Sequence, residues 1–395
     1  MTTTRGATAT DGAAVKEALR QRAADLVPDL SERAREIDDA RRLDPHIVDR
    51  LHAAGLLSAA NPWRFGGEGE YDALLAATYE LGRASGSVAW CHAVWTQHNW
   101  MAGLWPEEFQ SEYFDATGRV LCSSAFNPAG AKVEPADGGY RVRGRWNAAS
   151  GCDNARWLML GAVLPERKLG FLMVPRDDLE IVDTWFVSGL QGTGSKDIAI
   201  AEAFVPDHRV VTAEYLTEVR DAGSDRPSSA LPIWPLVTLS LTYATMGMVA
   251  GALEAFEGKL RSGATSIAGN RPADEPAVQL RLSESAAELD AALLLSERSV
   301  QDMLERARSG NLPVLSDRLV YARDRAYAST LTVRAINRLF DASGASGLYA
   351  EAPIQRFHRD VHAGSHHPGH SWDVYGVHYG RDRLGLDLSP TARLL

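Results

Sequence analysis

The hydrophobic periodicity of this chain changes twice, and these two changes restrict its fold more than any other feature. Apolar residues recur every three or four positions through 13–119, which is the spacing of amphipathic helices. Short apolar runs separated by Gly, Pro and Asp follow over 120–216 and are typical of strands. Helical spacing returns over 231–395, in segments as long as bundle helices. The order predicts a mainly α protein with a central β-domain.

Two polar segments complete this division of the chain. Residues 1–12 lack the apolar core of a signal peptide, and we predict that they are disordered. Residues 217–230 are rich in Gly, Pro and Ser and are predicted to form an exposed linker. The following run, 231–253, contains no charged residue and could be mistaken for a membrane span, but its prolines and hydroxyl side chains favour a buried core helix.

Charge and cysteine usage exclude several classes of protein. The 395 residues carry a net charge of -10, which argues against nucleic acid or an anionic membrane as the main partner. The three cysteines, Cys91, Cys122 and Cys152, include no CxxC pair. A disulfide framework or a cysteine-based zinc site is therefore not expected, and a reducing cytoplasm fits this usage.

The stretch 144–157, GRWNAASGCDNARW, is the first candidate for a binding site. It lies between strand-like runs at 140–143 and 157–163, with small residues and hydroxyls at 147–151. Such residues let backbone amides and the Ser150 hydroxyl approach a flat polar ligand, because no large side chain intervenes. A polar β-loop without a ligand is the alternative.

Two further segments are rich in aromatic or histidine residues. The helix predicted around Trp90 and His98 is either part of the core or the wall of a pocket for an aromatic ligand. Near the C-terminus, six of the eleven histidines fall within 355–380: His358, His362, His366, His367, His370 and His378. They could form a structural cluster, include a catalytic histidine in a pocket, or bind a metal through His362 and His366. Gly364 and Pro368 weaken that helical pair and no HExxH acid is present, so we predict no metal.

Paired motifs in the middle and C-terminal regions resemble the signatures of the acyl-CoA dehydrogenase family. They are GLQGTGS at 189–195 with AFVP at 203–206, and GASG at 344–347 with PIQR at 353–356 and RD at 359–360. The resemblance covers roughly 15–390 and implies an N-terminal helical domain, a β-barrel-like middle domain and a C-terminal four-helix bundle. It also implies a homotetramer built as a dimer of dimers.

The chain departs from the dehydrogenases of this family at the position of their catalytic carboxylate. That position falls on Pro368, and 231–253 contains no acidic residue. The stretches SGSVAWCHAVWTQHNWMAGLWPEE, CSSAFNPAGA, GGYRVRGRWNAASGCDNARW and RDVHAGSHH instead resemble the flavin-dependent monooxygenases of this fold. The resemblance implies an oxygenase component that takes FADH2 or FMNH2 from a separate NAD(P)H-flavin reductase. With O2, via a C4a-hydroperoxyflavin, it would hydroxylate a phenolic, polycyclic or indole-like aromatic molecule.

The resemblance also implies roles for individual residues. Three catalytic residues are expected: Ser150 near flavin N5, His98 in the pocket, and His367 as a base that bonds the substrate hydroxyl. The cofactor-binding residues expected are Trp90, Ser124, Asn127, Trp146, Ala148, Ser150, Gly344 and Ser346, the last two reaching the flavin of a neighbouring subunit. Either Arg261 or Arg271 is expected to bind the flavin phosphate.

Four alternatives remain at this point. An acyl-CoA dehydrogenase with a displaced base would need a carboxylate elsewhere in the pocket. An N-hydroxylase would act on an amine or amino sugar. A non-catalytic scaffold without flavin would have its pocket filled with side chains. A metalloenzyme would bind its metal ion through the C-terminal histidines.

Overall fold

The computed structural model describes residues 9–114, 119–218, 227–231, 233–263, 269, 271–389 and 392. Its first part is helical. The helices there are α1 (Ala9–Ala24), α2 (Val27–Ala40), α3 (Pro45–Ala53), α4 (Tyr71–Ala84), α5 (Gly86–Ala102) and α6 (Glu107–Tyr113). Asp44 caps α3, since its side chain accepts from His46 N at 2.7 Å. Ser85 ends α4 and caps α5, and every residue of α5 is buried.

The middle of the chain forms two four-stranded sheets. The strands are β1 (Cys122–Ala125), β2 (Ala131–Ala136), β3 (Gly139–Ala149), β4 (Trp157–Val163), β5 (Leu169–Pro175), β6 (Glu180–Val182), β7 (Lys196–Pro206) and β8 (Val210–Thr212). One sheet has the order β1-β4-β5-β8 and the other β2-β3-β7-β6. Only the β1–β4 pair is parallel among these described strands. Inward residues of both sheets, such as Val142, Leu160 and Ile198, share one core.

The last part of the chain is helical again. Its helices are α7 (Ala213–Thr217), α8 (Ile233–Val237), α9 (Leu239–Arg261), α10 (Pro276–Ser309), α11 (Leu315–Ala342), α12 (Pro353–Ser365) and α13 (Trp372–Arg383). Helix α9 packs against α4 and α5 as well as α10, α11 and α12, so it joins the two helical regions in one core. The predicted order of helical, β and helical regions is confirmed.

The uncharged run in the C-terminal part lies inside the protein. Among the described residues, Ile233–Arg261 is the one stretch long and apolar enough to cross a membrane by length and composition. Nearly all of its most apolar window is buried by other parts of the chain. The predicted core helix accounts for this pattern without a membrane.

Two predicted segment descriptions are wrong in part. Residues 9–12 belong to α1, although 1–12 is predicted to be disordered; alanines at 9, 13 and 14 favour the helix. Residues 1–8 lie outside the described residues. In the predicted linker 217–230, Ser228 and Ala230 are buried in a short 3-10 helix rather than exposed, because this helix packs against α10. The central part, 219–226, also lies outside the described residues.

Candidate active site

A cavity of about 720 Å³ lies where α5, the β-domain and the segment after α12 meet. This volume is within the range of about 300–1,000 Å³ that is usual for sites of drug-sized ligands. Six of the predicted site residues line it: Trp90, Ser124, Asn127, Ala148, Ser150 and His367. The cavity therefore brings together residues from four separate parts of the sequence. Its open volume also argues against a scaffold whose pocket is filled with side chains.

A β-bulge in β3 directs two residues into the cavity. The register between β3 and β7 shifts between Trp146 and Ala149, and Ala148 has a φ of 62°. A left-handed conformation at a non-glycine residue is strained and is often associated with a functional site. Asn147 and Ala148 both line the cavity. Residues 147–149 were predicted as a loop; they belong to the end of strand β3, which the bulge bends away from the regular ladder.

A chain of side-chain hydrogen bonds crosses the floor of the cavity. Trp90 Nε1 donates to Ser150 Oγ at 3.2 Å, and Ser150 Oγ lies 2.7 Å from Ser195 Oγ. Ser195 Oγ is 2.7 Å from Thr193 Oγ1, which donates to the Leu190 carbonyl at 2.7 Å.

The two ends of this chain determine its direction. The indole of Trp90 can only donate and the Leu190 carbonyl can only accept. Thr193 therefore accepts from Ser195, and Ser195 accepts from Ser150. The proton of Ser150 is committed to Ser195, and a lone pair of Ser150 Oγ remains for a ligand that donates a hydrogen bond.

His367 is held in one neutral tautomer at the opposite wall. Gly369 N donates to His367 Nδ1 at 3.1 Å, so Nδ1 is unprotonated and the neutral ring carries its proton on Nε2. Burial is the main reason that the pKa of His367 falls to about 3, and His370 and Arg325 lower it further. The ring lies edge-on to Trp90 with centroids 6.0 Å apart. His367 is therefore a neutral donor at the cavity wall across the physiological pH range.

The structure places two predicted site residues outside the cavity lining. His98 Nδ1 donates to the Cys122 carbonyl at 3.1 Å, and Phe126 and Gln97 separate its ring from the cavity. Burial lowers the pKa of His98 to about 4. Trp146 lies in the core of the β-sandwich and donates to the Gly161 carbonyl at 2.7 Å. The alternation of β3 explains this position, because Val142 and Trp146 point to the same inner face.

The remaining cofactor-binding candidates lie elsewhere. Gly344 and Ser346 are in a short 3-10 helix after α11, and Ser346 Oγ accepts a hydrogen bond from Lys259. Arg261 is exposed and pairs with Glu257 at 2.7 Å, whereas Arg271 lies 3.9 Å from Asp274. One chain does not test contacts to a neighbouring subunit, so these four residues stay predictions.

Four of the other C-terminal histidines have protein hydrogen-bond partners, whereas His378 lines the cavity beside Tyr375 and its Nδ1 has none among the described residues. His358 Nε2 and His362 Nε2 both contact Asn337 Oδ1, at 3.1 and 2.7 Å. His366 Nδ1 donates to the His362 carbonyl, and His370 lies between the Gly364 carbonyl and Thr242 Oγ1. In the described part of the chain, no three His, Cys, Asp or Glu side chains are grouped to hold a metal ion.

The polar residues of this site that the sequence analysis missed include Thr193, Ser195, Thr238, Arg325 and Tyr375. Thr193 and Ser195 lie in the GLQGTGS motif, where the two hydroxyls two positions apart were a usable signal. Arg325 occupies the buried face of α11 between Ala322 and Ser329, at the three- and four-residue spacing of core positions. A charged residue at a core position of a helix is unusual, so the sequence also carried a signal for Arg325. Nothing in the sequence distinguishes Tyr375 from the other tyrosines.

The charges around the cavity are one-sided. No Asp, Glu or Lys among the described residues lines it, and Arg325 is its one permanently charged side chain there. A dehydrogenase that abstracts a proton with a carboxylate has no such group at this cavity. Among the described residues, this finding contradicts the alternative of an acyl-CoA dehydrogenase whose carboxylate base lies elsewhere in the pocket.

The residues present suit a reduced flavin. The cavity is wide enough for a flat ring system, and Trp90, Val94 and Leu241 offer apolar surface to it. The free lone pair of Ser150 matches the N5–H group that a reduced isoalloxazine carries and an oxidised one lacks. The small side chain of Ala148 at the bulge leaves room for a ring edge.

Fold and site together define a flavin-dependent oxygenase of the acyl-CoA dehydrogenase fold. The profile of the acyl-CoA dehydrogenase N-terminal domain matches residues 13–118, and that of the C-terminal domain matches residues 239–372. The chain belongs to the oxygenase components of flavin-dependent monooxygenases within this family, which confirms the predicted resemblance.

Several relatives are similar over nearly their whole length. The oxygenase component of an FADH2-dependent resorcinol hydroxylase from Rhizobium sp. (strain MTP-10005) is 34% identical, over 90% of this chain and 91% of that protein. The oxygenase subunit HsaA of a flavin-dependent monooxygenase from Mycobacterium tuberculosis (strain ATCC 25618 / H37Rv) is 33% identical, over 91% of this chain and 94% of that protein. The crystal structure of the 3-HSA hydroxylase from Rhodococcus sp. RHA1 superposes with a TM-score of 0.90 at 29% identity, over 95% of this chain and 98% of that one.

Proposed function

We propose that this chain hydroxylates a small phenolic compound with O2 and a reduced flavin, FADH2 in preference to FMNH2, supplied by a separate NAD(P)H-flavin reductase. The observation that carries the proposal is the directed chain Trp90–Ser150–Ser195–Thr193, which leaves an acceptor at Ser150 in the same cavity as the His367 donor. The FADH2 dependence of the similar resorcinol hydroxylase from Rhizobium supports the choice of flavin.

The protein residues position the reactants and exclude water. When bound, the reduced flavin supplies the electrons that activate O2 and transfer one oxygen atom to the ring. Ser150 would hold the reduced flavin through its free lone pair, which suits the N5–H donor. Trp90, Leu241 and Val94 surround that position with apolar surface, which protects a reactive species from water.

His367 acts on the substrate as a hydrogen-bond donor. Its Nδ1 is used by Gly369 N, so the neutral ring offers Nε2–H to the cavity. A donor at the phenolic oxygen stabilises the phenolate and so lowers the pKa of the substrate hydroxyl, whose proton leaves to solvent. The phenolate is more electron-rich than the phenol at its ortho and para carbons. This role replaces the base role that the family resemblance implies.

The proposal extends to the assembly and location of the protein. A homotetramer would bring Gly344 and Ser346 of one subunit towards the flavin of another. Leu348 and Tyr349, in the same segment, are each 68% exposed in the single chain, which supports an interface there. A cytoplasmic location agrees with three buried free cysteines.

Rapid mixing tests the proposed activity. The protein would be loaded anaerobically with FADH2 or FMNH2 and then mixed with oxygenated buffer containing resorcinol or another phenol. We expect a lag before oxidised flavin absorbance appears, together with a hydroxylated product containing one atom of ¹⁸O from ¹⁸O2. Reoxidation at the rate of free flavin with no hydroxylated product, for either flavin, would refute the proposed function.

A further inference from the structure

Arg325 is a buried cation without an anionic partner in the described part of the chain. Its side chain is 2% exposed, and none of the ion pairs among the described residues includes it. Nε donates to the Gly369 carbonyl at 3.0 Å and Nη1 donates to the Trp234 carbonyl at 3.1 Å. Two neutral carbonyls and Tyr375 thus hold its orientation, and no carboxylate among the described residues pairs with it.

Other charged groups near Arg325 are already engaged or uncharged. The neighbouring carboxylate, Asp324, is bound by Arg298, Arg323 and Ser299 on another face of α11. Burial lowers the pKa of Arg325, and Tyr375 and Tyr71 are the only groups that oppose this effect. Arg356 shows the contrast, because it is also buried but has Asp360 and Asp38 beside it. A buried charge is ordinarily paired, so the missing partner of Arg325 calls for an explanation.

The guanidinium lies at the substrate end of the cavity. Gly369 connects it to His367: the N–H of Gly369 bonds His367 Nδ1, and its C=O accepts from Arg325 Nε. Ser150, which would face the flavin, lies on the Trp90 side of His367. The order along the cavity is therefore Ser150, Trp90, His367 and Arg325. Tyr375 completes this end, with its ring centroid 4.8 Å from Arg325 Cζ.

We propose that Arg325 binds an anionic substituent, a carboxylate, on the phenolic substrate, while His367 bonds the phenolic oxygen. This assignment rests on the proposed function and narrows its substrate class to hydroxylated aromatic acids. The absence of any carboxylate in the described lining favours an anion there, because nothing repels it. Because a charge-assisted hydrogen bond is strong in apolar surroundings, we expect the acid to bind about 10- to 100-fold more tightly than a neutral analogue.

The test compares isosteric acids and alcohols and needs no turnover. Binding to the protein, held anaerobically with reduced flavin, would be measured by calorimetry. The probes are 4-hydroxyphenylacetate with 2-(4-hydroxyphenyl)ethanol, and the three hydroxybenzoates with their hydroxybenzyl alcohols. At least one acid should bind about tenfold or more tightly than its alcohol. If every alcohol binds as tightly as its acid, the assignment is wrong, and oxygen-dependent hydroxylation of neutral phenols would then leave the proposed function intact.

Variants at Arg325 separate substrate binding from a structural or flavin role. Arg325→Gln should abolish the preference for the acid and leave the affinity of the alcohol unchanged, whereas Arg325→Lys should keep part of the preference. Arg334→Gln is the matched control, since Arg334 lies on the same helix but is exposed and pairs with Glu288. A preference that survives Arg325→Gln, or a weaker affinity for reduced flavin as the only change, would overturn the proposal. If Arg325→Gln does not fold, the wild-type comparison and Arg325→Lys decide.

Discussion

The hydroxyl oxygens of Ser150 and Ser195 lie 2.7 Å apart, and the proton between them belongs to Ser150. This follows from the fixed donor at Trp90 and the fixed acceptor at Leu190 on either side. The two serines are 45 residues apart in sequence: Ser150 directly follows β3 and Ser195 directly precedes β7. Their pairing at the ends of two neighbouring antiparallel strands of one sheet sets Ser150 as an acceptor towards the cavity.

Replacing Ser150 with Ala should uncouple flavin oxidation from hydroxylation. The variant removes the acceptor for the flavin ring, and a lost hydrogen bond of about 1.5 kcal/mol corresponds to roughly a tenfold change. We expect the hydrogen peroxide released per turnover to rise and the product to fall by that order, with oxygen consumption retained.

Ser123→Ala is the matched control for that variant. Ser123 Oγ donates to the Ser150 backbone carbonyl at 2.7 Å, so its loss perturbs the same turn but leaves the hydroxyl chain intact. Equal coupling in Ser150→Ala and wild type would remove Ser150 from the mechanism. Equal uncoupling in both variants would assign the effect to the turn instead.

Two tryptophan variants distinguish the core from the cavity. Trp146→Phe removes the bond to the Gly161 carbonyl and should lower the free energy of unfolding by about 1–3 kcal/mol, with the affinity for reduced flavin unchanged. Trp90→Phe removes the donor to Ser150 and should instead weaken coupling. Denaturant unfolding and flavin titration measure the two effects. Weaker flavin binding by Trp146→Phe alone would restore its predicted role at the flavin.

Buried histidines should make the fold sensitive to acid. Burial lowers the pKa to about 4 for His92, His98 and His370, and to about 3 for His367. Between these values and the ordinary pKa of about 6.5, the unfolded chain binds more protons than the folded one. The stabilising contribution of these neutral histidines is therefore fully present above pH 6.5, and it is lost as the pH falls towards 4. Thermal unfolding from pH 8 to pH 4.5 measures this; a Tm that is flat over that interval would contradict it.

Asp360 should contribute a pH dependence of the opposite sign. Burial and the nearby Asp38 raise its pKa to about 7, so the folded state holds a proton that the unfolded state has lost above pH 3.8. This contribution is present below pH 3.8 and is lost as the pH rises through 7. Asp360→Asn keeps an acceptor for Leu190 N, which now bonds Asp360 Oδ1 at 2.7 Å. The Tm advantage of wild type over this variant should shrink between pH 5 and pH 8; a growing advantage would refute the raised pKa.

The regular elements and the family were predictable because they depend on local patterns. Strand β4 coincides with the predicted run at 157–163, and the long helices α10 and α11 lie in the region 231–395 where bundle-length helices were predicted. Trp90, Ser150 and His367 were placed correctly at the cavity because short motifs around them carry the family resemblance.

Side-chain direction and long-range pairing required the tertiary structure. Helical spacing puts His98 near the face of Trp90, but the contact with the Cys122 carbonyl turns its ring away from the cavity. Strand alternation alone could have placed Trp146 inside the sandwich, but only the position of the bulge shows that Ala148 and Ser150 reach the cavity.

The sequence by itself determined the order of the helical and β regions, the family and several of the residues that line the cavity, since these follow from periodicity and contiguous motifs. The tertiary structure decided which atoms face the ligand: the lone pair of Ser150, the Nε2–H of His367 and the unpaired charge of Arg325. Each depends on a partner distant in sequence or on a backbone conformation, because hydrogen-bond direction and charge pairing are properties of atoms brought together by folding.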